Sequence, residues 1–138
     1  MHRLAMALAA PLLFVLSLSA CTSLDEVREQ PVQWKASYLV PFDTLASCIA
    51  ARLSQHWATT PQIYTRQGFA YVTLADKSAP SIVAEFFIRQ QSDGSSLVEW
   101  RRRPLLADYA GLQSKSHEAA DRCAESEAAS ASGSRSER

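Results

Sequence analysis

The spacing of apolar residues predicts a helix and a strand in the middle of this chain. Residues 43–57 carry an apolar side chain at every fourth position, which is the spacing of an amphipathic helix with one buried stripe. The stripe consists of Leu45, Ile49, Leu53 and Trp57. Asp43 stands at the start of this run and is expected to be the N-cap. Residues 81–91 alternate apolar and polar side chains instead, which is typical of a strand with one buried face.

Further β-like segments and a weaker helix complete a predicted α+β domain. The expected strands are residues 32–40, 63–66, 69–75 and 95–103, with a join or bulge at Gly68. Residues 109–124 carry a second stripe of small side chains and are predicted to be a helix. The order β-α-β-β-β-α describes a small antiparallel sheet of about four strands with both helices on one face.

The loop at residues 92–94, Ser-Asp-Gly, sets the register of the last hairpin. A three-residue loop with glycine in the left-handed position is a common hairpin connection. It places apolar residues opposite one another on one face, in the pairs Ile88–Val98 and Phe86–Trp100. A two-residue turn would place Ile88 against Glu99 and mix the faces, so the three-residue register is expected. Glu85 then lies opposite Arg101 on the other face.

The first 20 residues have the parts of a secretory signal peptide: a basic start, an apolar stretch over residues 4–18 and small residues at the end. The stretch is shorter than the roughly 20 residues that a spanning helix needs. Residues 18–21, Leu-Ser-Ala-Cys, complete a motif that resembles the lipobox of bacterial lipoproteins. The resemblance implies that signal peptidase II cuts before Cys21, and that Cys21 carries a diacylglyceryl group and an acyl chain such as palmitate.

The same resemblance implies a location and a division of the chain. Thr22 follows the cysteine, whereas Asp at that position is the inner-membrane retention signal of enteric lipoproteins, so we expect the periplasmic face of the outer membrane. Residues 21–31 are expected to be the lipidated N-terminus and a polar tether. Residues 32–124 form the predicted domain. Residues 125–138 lack large apolar side chains and are expected to be disordered.

The chain has three cysteines, an odd number that needs an explanation in an exported protein. Lipidation of Cys21 leaves Cys48 and Cys123. Both lie on the apolar stripes of predicted helices, and the compartment oxidises thiols, so we expect them to form a disulfide. The alternative is that Cys21 itself takes part in a disulfide.

The sequence offers little for catalysis, metal binding or nucleic-acid binding. The 14 basic and 14 acidic residues balance, whereas nucleic-acid binders usually have a basic excess. No zinc or serine-hydrolase motif is present. The adjacent Ser116, His117 and Glu118 would point in different directions around a helix. Glu85 and Glu99 could pair as catalytic carboxylates, although neutralisation by nearby arginines also explains them. We therefore expect no catalytic residue, metal site or cofactor.

One surface remains as a candidate binding site. Alternation places Arg101 and Arg103 on the sheet face that the two helices leave open, together with Phe87 on the neighbouring strand. Arginines beside apolar residues are frequent at interfaces, so these three residues are candidate contacts with a protein or an anionic envelope component. The alternative is a solvated edge strand that its charges protect from aggregation.

Together these features favour a lipid-anchored envelope protein that attaches to the membrane through Cys21. Its disulfide-bonded domain is expected to be a non-catalytic binding or assembly module. The alternative is a periplasmic inhibitor or immunity protein against an envelope hydrolase such as a lysozyme, which the small size, the disulfide and the anchor would also suit.

Overall fold

The computed structural model describes residues 19–79, 81–104 and 111–134, with side chains from residue 23 onwards. Within these residues the chain forms three helices and five strands. The elements are α1 (Ser19–Arg28), β1 (Trp34–Tyr38), α2 (Phe42–Leu53), β2 (Ala58–Tyr64), β3 (Phe69–Ala75), β4 (Ile82–Gln90), β5 (Ser96–Arg102) and α3 (Leu112–Gly133).

The strands form one antiparallel sheet in the order β1-β5-β4-β3-β2. The prediction of mixed helices and strands around a small antiparallel sheet is confirmed, but the sheet has five strands where about four were expected. The difference arises at Gly68, which has a φ of +74° and ends a tight turn between two separate strands. Glycine tolerates this left-handed conformation without strain, so the chain reverses here and does not form a bulge.

The predicted register of the last hairpin is confirmed. Phe86 lies opposite Trp100, and Glu85 lies opposite Arg101. Gly94 takes the left-handed conformation with a φ of +85°. Inside the loop, the backbone amide of Ser95 donates to the carboxylate of Asp93 at 2.9 Å. Hydrogen bonds from Ser95 lower the pKa of Asp93 because they favour its charged form.

We call the sheet face beneath α2 and α3 the inner face, and it contains the hydrophobic core. Phe86, Ile88, Val98 and Trp100 are fully buried there together with the α2 residues Leu45 and Ile49. The predicted disulfide between Cys48 and Cys123 is confirmed, and it joins α2 to α3 with a Cα–Cα distance of 5.9 Å. A hydrogen bond connects β1 to α3 as well, because the hydroxyl of Tyr38 donates to the carboxylate of Asp121 at 2.7 Å.

The ends of α2 differ from the prediction. The N-cap residue is Pro41, and Asp43 lies in the first turn, where its carboxylate accepts a hydrogen bond from the amide of Thr44 at 2.8 Å. Pro41 has the extended backbone of an N-cap, with a ψ of 141°, so the helix begins at the next residue. The helix ends at Leu53, four residues before Trp57, which is nevertheless buried against the core.

The N-terminal segment also differs. The tether expected over residues 21–31 is wrong for its first part, because α1 continues to Arg28 and lies against the outer face, opposite α2 and α3. Val27 is fully buried, and Ser23 accepts a hydrogen bond from the amide of Ile82 at 3.4 Å. A short helix of modest propensity becomes stable when it docks on an existing surface. Cys21 lies within α1, but its side chain is outside the described part of the structure. Residues 1–18 of the expected signal peptide are also outside it.

The C-terminal segment is helical further than expected. The prediction of disorder from residue 125 is wrong as far as Gly133, where α3 ends. Residues 125–133 contain three alanines and two glutamates, which favour helices intrinsically, and α3 is already nucleated by the part that packs on the core. Residues 135–138 of the expected tail are outside the described part, as are residues 105–110 before the helix.

Candidate functional site

The outer face of the sheet is divided between a covered part and an open part. Val83 and Glu85 lie on the first half of β4, where α1 packs, and both are almost fully buried. On the second half of β4 and on the adjoining strands, four aromatic residues remain in contact with solvent. We call them the aromatic patch: Tyr64, Phe69, Tyr71 and Phe87.

Strand alternation explains why these rings share one face. In β3, Ala70, Val72 and Leu74 point to the inner face and are fully buried. Phe69 and Tyr71 alternate with them and therefore point outward. The register then places Phe69 opposite Tyr64 and Tyr71 opposite Phe87. Phe87 points outward because Phe86, its neighbour on β4, points into the core.

The rings of the patch contact one another directly. The centroid of Phe69 lies 4.8 Å from that of Tyr64 and 5.8 Å from that of Phe87. Tyr71 lies 5.1 Å from Phe87. These separations are those of favourable aromatic pairs, so the four rings support one another and form one continuous surface. Tyr64 is its most accessible ring, with 39% exposure.

Arg28 connects α1 to the patch. Its guanidinium carbon lies 4.6 Å from the ring centroid of Tyr71, which is cation–π geometry. The same guanidinium donates two hydrogen bonds to Glu85, each of 2.9 Å. This bidentate pair raises the pKa of Arg28 and neutralises a carboxylate that is only 3% exposed. The end of α1 is therefore held by an ion pair and by a contact with the patch.

Glu99 has its own cationic partner. Lys35 of β1 lies 2.9 Å from its carboxylate, and Arg101 lies 3.9 Å away. The hydrogen bond from Lys35 is the main cause of the lowered pKa of Glu99. Glu85 is thus paired with Arg28, and Glu99 is paired with Lys35 and, at a longer distance, with Arg101, so the two carboxylates are held in separate ion pairs.

The structure places the three predicted contact residues in two different settings. Phe87 belongs to the aromatic patch. Arg101 and Arg103 point to the outer face as predicted but are engaged within the chain. Nε of Arg101 donates to the carbonyl of Gln30 at 3.1 Å, and Nη2 of Arg103 lies 3.3 Å from Glu26 of α1. Their role in partner binding stays a prediction, and both now have an evident role in holding α1 and the segment after it.

The other residues with possible chemistry do not converge. Ser116 is fully buried, whereas His117 and Glu118 are exposed on other sides of α3. The ring of His117 packs against Trp34 in a tilted arrangement, with 4.7 Å between the ring centroids. In the described ranges, no three side chains of His, Cys, Asp or Glu are grouped as metal ligands would be. None of the helices described there is long and apolar enough to cross a membrane.

Three residues of the patch were missed by the sequence reasoning. Tyr64, Phe69 and Tyr71 lie in segments that were predicted to be β-like without an assigned face. The signal that identifies Phe69 and Tyr71 is the alternation within residues 69–75, where the smaller apolar residues occupy the even positions. Since one set must face the core, Phe69 and Tyr71 belong to the opposite face.

No protein-family model matches this chain, and comparisons with curated proteins and with solved structures give no significant match.

Proposed function

We propose that this chain is a lipid-anchored protein of the bacterial envelope, and that its domain binds another envelope macromolecule through the aromatic patch without catalysis. The observation that carries the binding role is the contiguous group of four aromatic rings on the open half of a sheet face. The anchor is inferred from the lipobox at residues 18–21, and the proposed location is the periplasmic side of the outer membrane.

The position of α1 supports a separation in space between the lipid anchor and the aromatic patch. Ser23, two residues after Cys21, contacts the backbone at Ile82, where β4 begins. Phe87 lies five positions further along the same strand. At the rise of an extended strand this separation is about 17 Å. A lipid on Cys21 would therefore attach at one end of the outer face and leave the aromatic patch at the other end, directed away from the bilayer.

The chemistry of the patch supports binding. Aromatic residues and arginine supply most of the energy at protein interfaces, because large rigid surfaces lose little entropy when they are covered. The patch joins aromatic rings to Arg28 at its edge. The hydrogen bond from Lys35 lowers the pKa of Glu99, whereas a general acid needs a raised one. The carboxylate of Glu85 is occupied by both hydrogen bonds from Arg28. These features favour recognition over catalysis.

The lipid anchor is tested by replacing Cys21 with Ala. We expect the variant to remain uncut or to leave the membrane fraction, and we expect globomycin to cause accumulation of the wild-type precursor. Normal processing and membrane attachment of Cys21→Ala would remove the anchor from the proposal. Fractionation of the wild type with inner-membrane vesicles would contradict the outer-membrane location alone.

The binding role is tested by crosslinking and co-purification of the full chain from membranes. Phe87→Ser and Tyr64→Ser should each lose the captured partner, whereas Leu39→Ser should retain it. Leu39 is a suitable control because it is 92% exposed and follows β1 at the opposite edge of the sheet. Retention of the partner by both patch variants would contradict the proposal. Recovery of an envelope hydrolase that the chain inhibits would instead establish the inhibitor or immunity function.

A further inference from the structure

We infer that the occupant of the aromatic patch is an acidic polypeptide segment in which apolar side chains are flanked by carboxylates. This inference rests on the proposed function and adds the chemistry of the partner. It follows from the charges that surround the patch and from which of them are already paired within the chain.

The two carboxylates on the strands beside the patch, Glu85 and Glu99, are engaged within the chain. Glu85 is 3% exposed and accepts two hydrogen bonds from the guanidinium of Arg28. Glu99 is 13% exposed and lies 2.9 Å from Lys35. A basic partner would therefore find Glu85 buried, Glu99 largely covered and both already paired, and it would have to compete with a cation that is already in place. This arrangement disfavours a basic occupant.

The cations around the patch, in contrast, face solvent. Arg89 lies opposite Phe69 in the sheet register and is exposed. Arg66 is exposed in the turn that follows Tyr64. Within the described part of the chain, neither side chain forms a salt bridge. Arg28 and Lys35 are engaged with Glu85 and Glu99, so the remaining positive charge of the rim is that of Arg89 and Arg66.

Aromatic rings inside a positively charged rim match one kind of polypeptide best. Apolar side chains of the partner would cover the rings, and its carboxylates would make charge-assisted hydrogen bonds with Arg89 and Arg66. A lipid bilayer is disfavoured because the patch lies at the end of the face remote from Cys21. A glycan could stack on the rings, but a neutral glycan would leave the cationic rim without counterions.

The test uses a photo-crosslinking amino acid at Tyr64 of the full chain in living cells, with the same amino acid at Leu39 as the matched control. After irradiation, the crosslinked species is purified and mapped by mass spectrometry. The expected product is a protein segment with apolar residues and at least two carboxylates near the crosslink. A product that is a glycan, a lipid or a segment without carboxylates overturns the inference but retains the patch as a binding surface.

Charge reversal then tests the role of the rim. Arg89→Glu should lower the crosslinking yield by about tenfold. Replacement of the mapped partner carboxylates by Lys should restore the yield with Arg89→Glu. Arg52→Glu, the same change on the exposed surface of α2, should leave it unchanged. An unchanged yield with Arg89→Glu overturns the inference. If the yield at Tyr64, with Arg89 unchanged, is no higher than the yield at Leu39, the proposed function is overturned as well. The two failures are therefore distinguishable.

Discussion

On the inner face of the sheet, Phe86 and Trp100 are fully buried beneath two helices, whereas on the outer face Phe87 and its aromatic neighbours remain in contact with water. The inner face is covered by α2 and α3, which a disulfide joins. The outer face is covered only in part by α1, which ion pairs to Glu85 and Arg103 help to hold. Adjacent residues of one strand thus have different surroundings: the inner set stabilises the fold, and the outer set remains accessible and, on our proposal, binds a partner.

The largest expected effect separates Phe86 from Phe87. Phe86→Ala should reduce the free energy of unfolding by about 3–5 kcal/mol, because it removes a fully buried ring and leaves a cavity. Phe87→Ala should cost about 1 kcal/mol, since the half-buried ring packs only against neighbours on the surface. Urea denaturation of both variants measures the difference. Equal losses would mean that the outer face is as much a part of the core as the inner face.

The disulfide should have the next largest effect. Replacing both Cys48 and Cys123 by Ala should cost about 2–4 kcal/mol, as expected for a bridge that closes a long loop. The buried residues of α3 are mostly small, so the loss should be concentrated in that helix. Amide hydrogen exchange should then accelerate in α3 and remain nearly unchanged in α1. Uniform acceleration throughout the domain would contradict this local dependence.

On the outer face, the ion pair between Arg28 and Glu85 should be worth less. Arg28→Ala leaves a buried carboxylate without its partner, but water can reach the site because Arg28 is 41% exposed. We expect a loss of about 1–2 kcal/mol. The double variant Arg28→Ala/Glu85→Gln should recover part of this loss, because the neutral amide needs no counterion. Purely additive losses in the double-mutant cycle would show that the two side chains are not coupled.

The smallest expected effect concerns Glu99 and acid. Its pKa is lowered in the folded state, so its contribution to stability is complete above the ordinary glutamate pKa of about 4.3 and is lost as pH falls through the lowered value. Lys35→Met should remove most of this contribution, which we expect to be below about 1 kcal/mol, because Lys35 is its main cause. Urea denaturation at pH values from about 3 to about 7 should therefore show a weaker acid destabilisation in the variant. An identical pH profile would contradict the assignment.

The two faces also differ in how far the sequence predicts them. The inner face was predictable because the pairs Phe86–Trp100 and Ile88–Val98 sort apolar residues in only one hairpin register, and the structure has that register. The disulfide followed from the two stripes that carry Cys48 and Cys123. These inferences use local periodicity, which is strong wherever one side of an element is dry.

The outer face was less predictable because its contacts are long-range. Arg28 and Glu85 are 57 residues apart, and nothing in the local pattern of residues 22–31 pairs them. That segment has few apolar residues, so its helix depends on docking against the sheet. The exposed rings were obscured in a similar way. Segments 63–66 and 69–75 were predicted to be β-like, but assigning Tyr64 and Phe69 to one face required the register of β2 on β3.

The short link between Cys21 and the docked part of α1 has a consequence for how the domain would meet its partner. On the proposal that Cys21 carries the lipid, only two residues lead to Ser23, and even fully extended they span no more than about 7 Å. The domain could then diffuse laterally with its lipid and rotate, but it could not move far from the membrane surface, as a domain on a long flexible linker could. Encounters would be confined to a thin layer above the bilayer, where a partner held in the same layer has a high effective concentration.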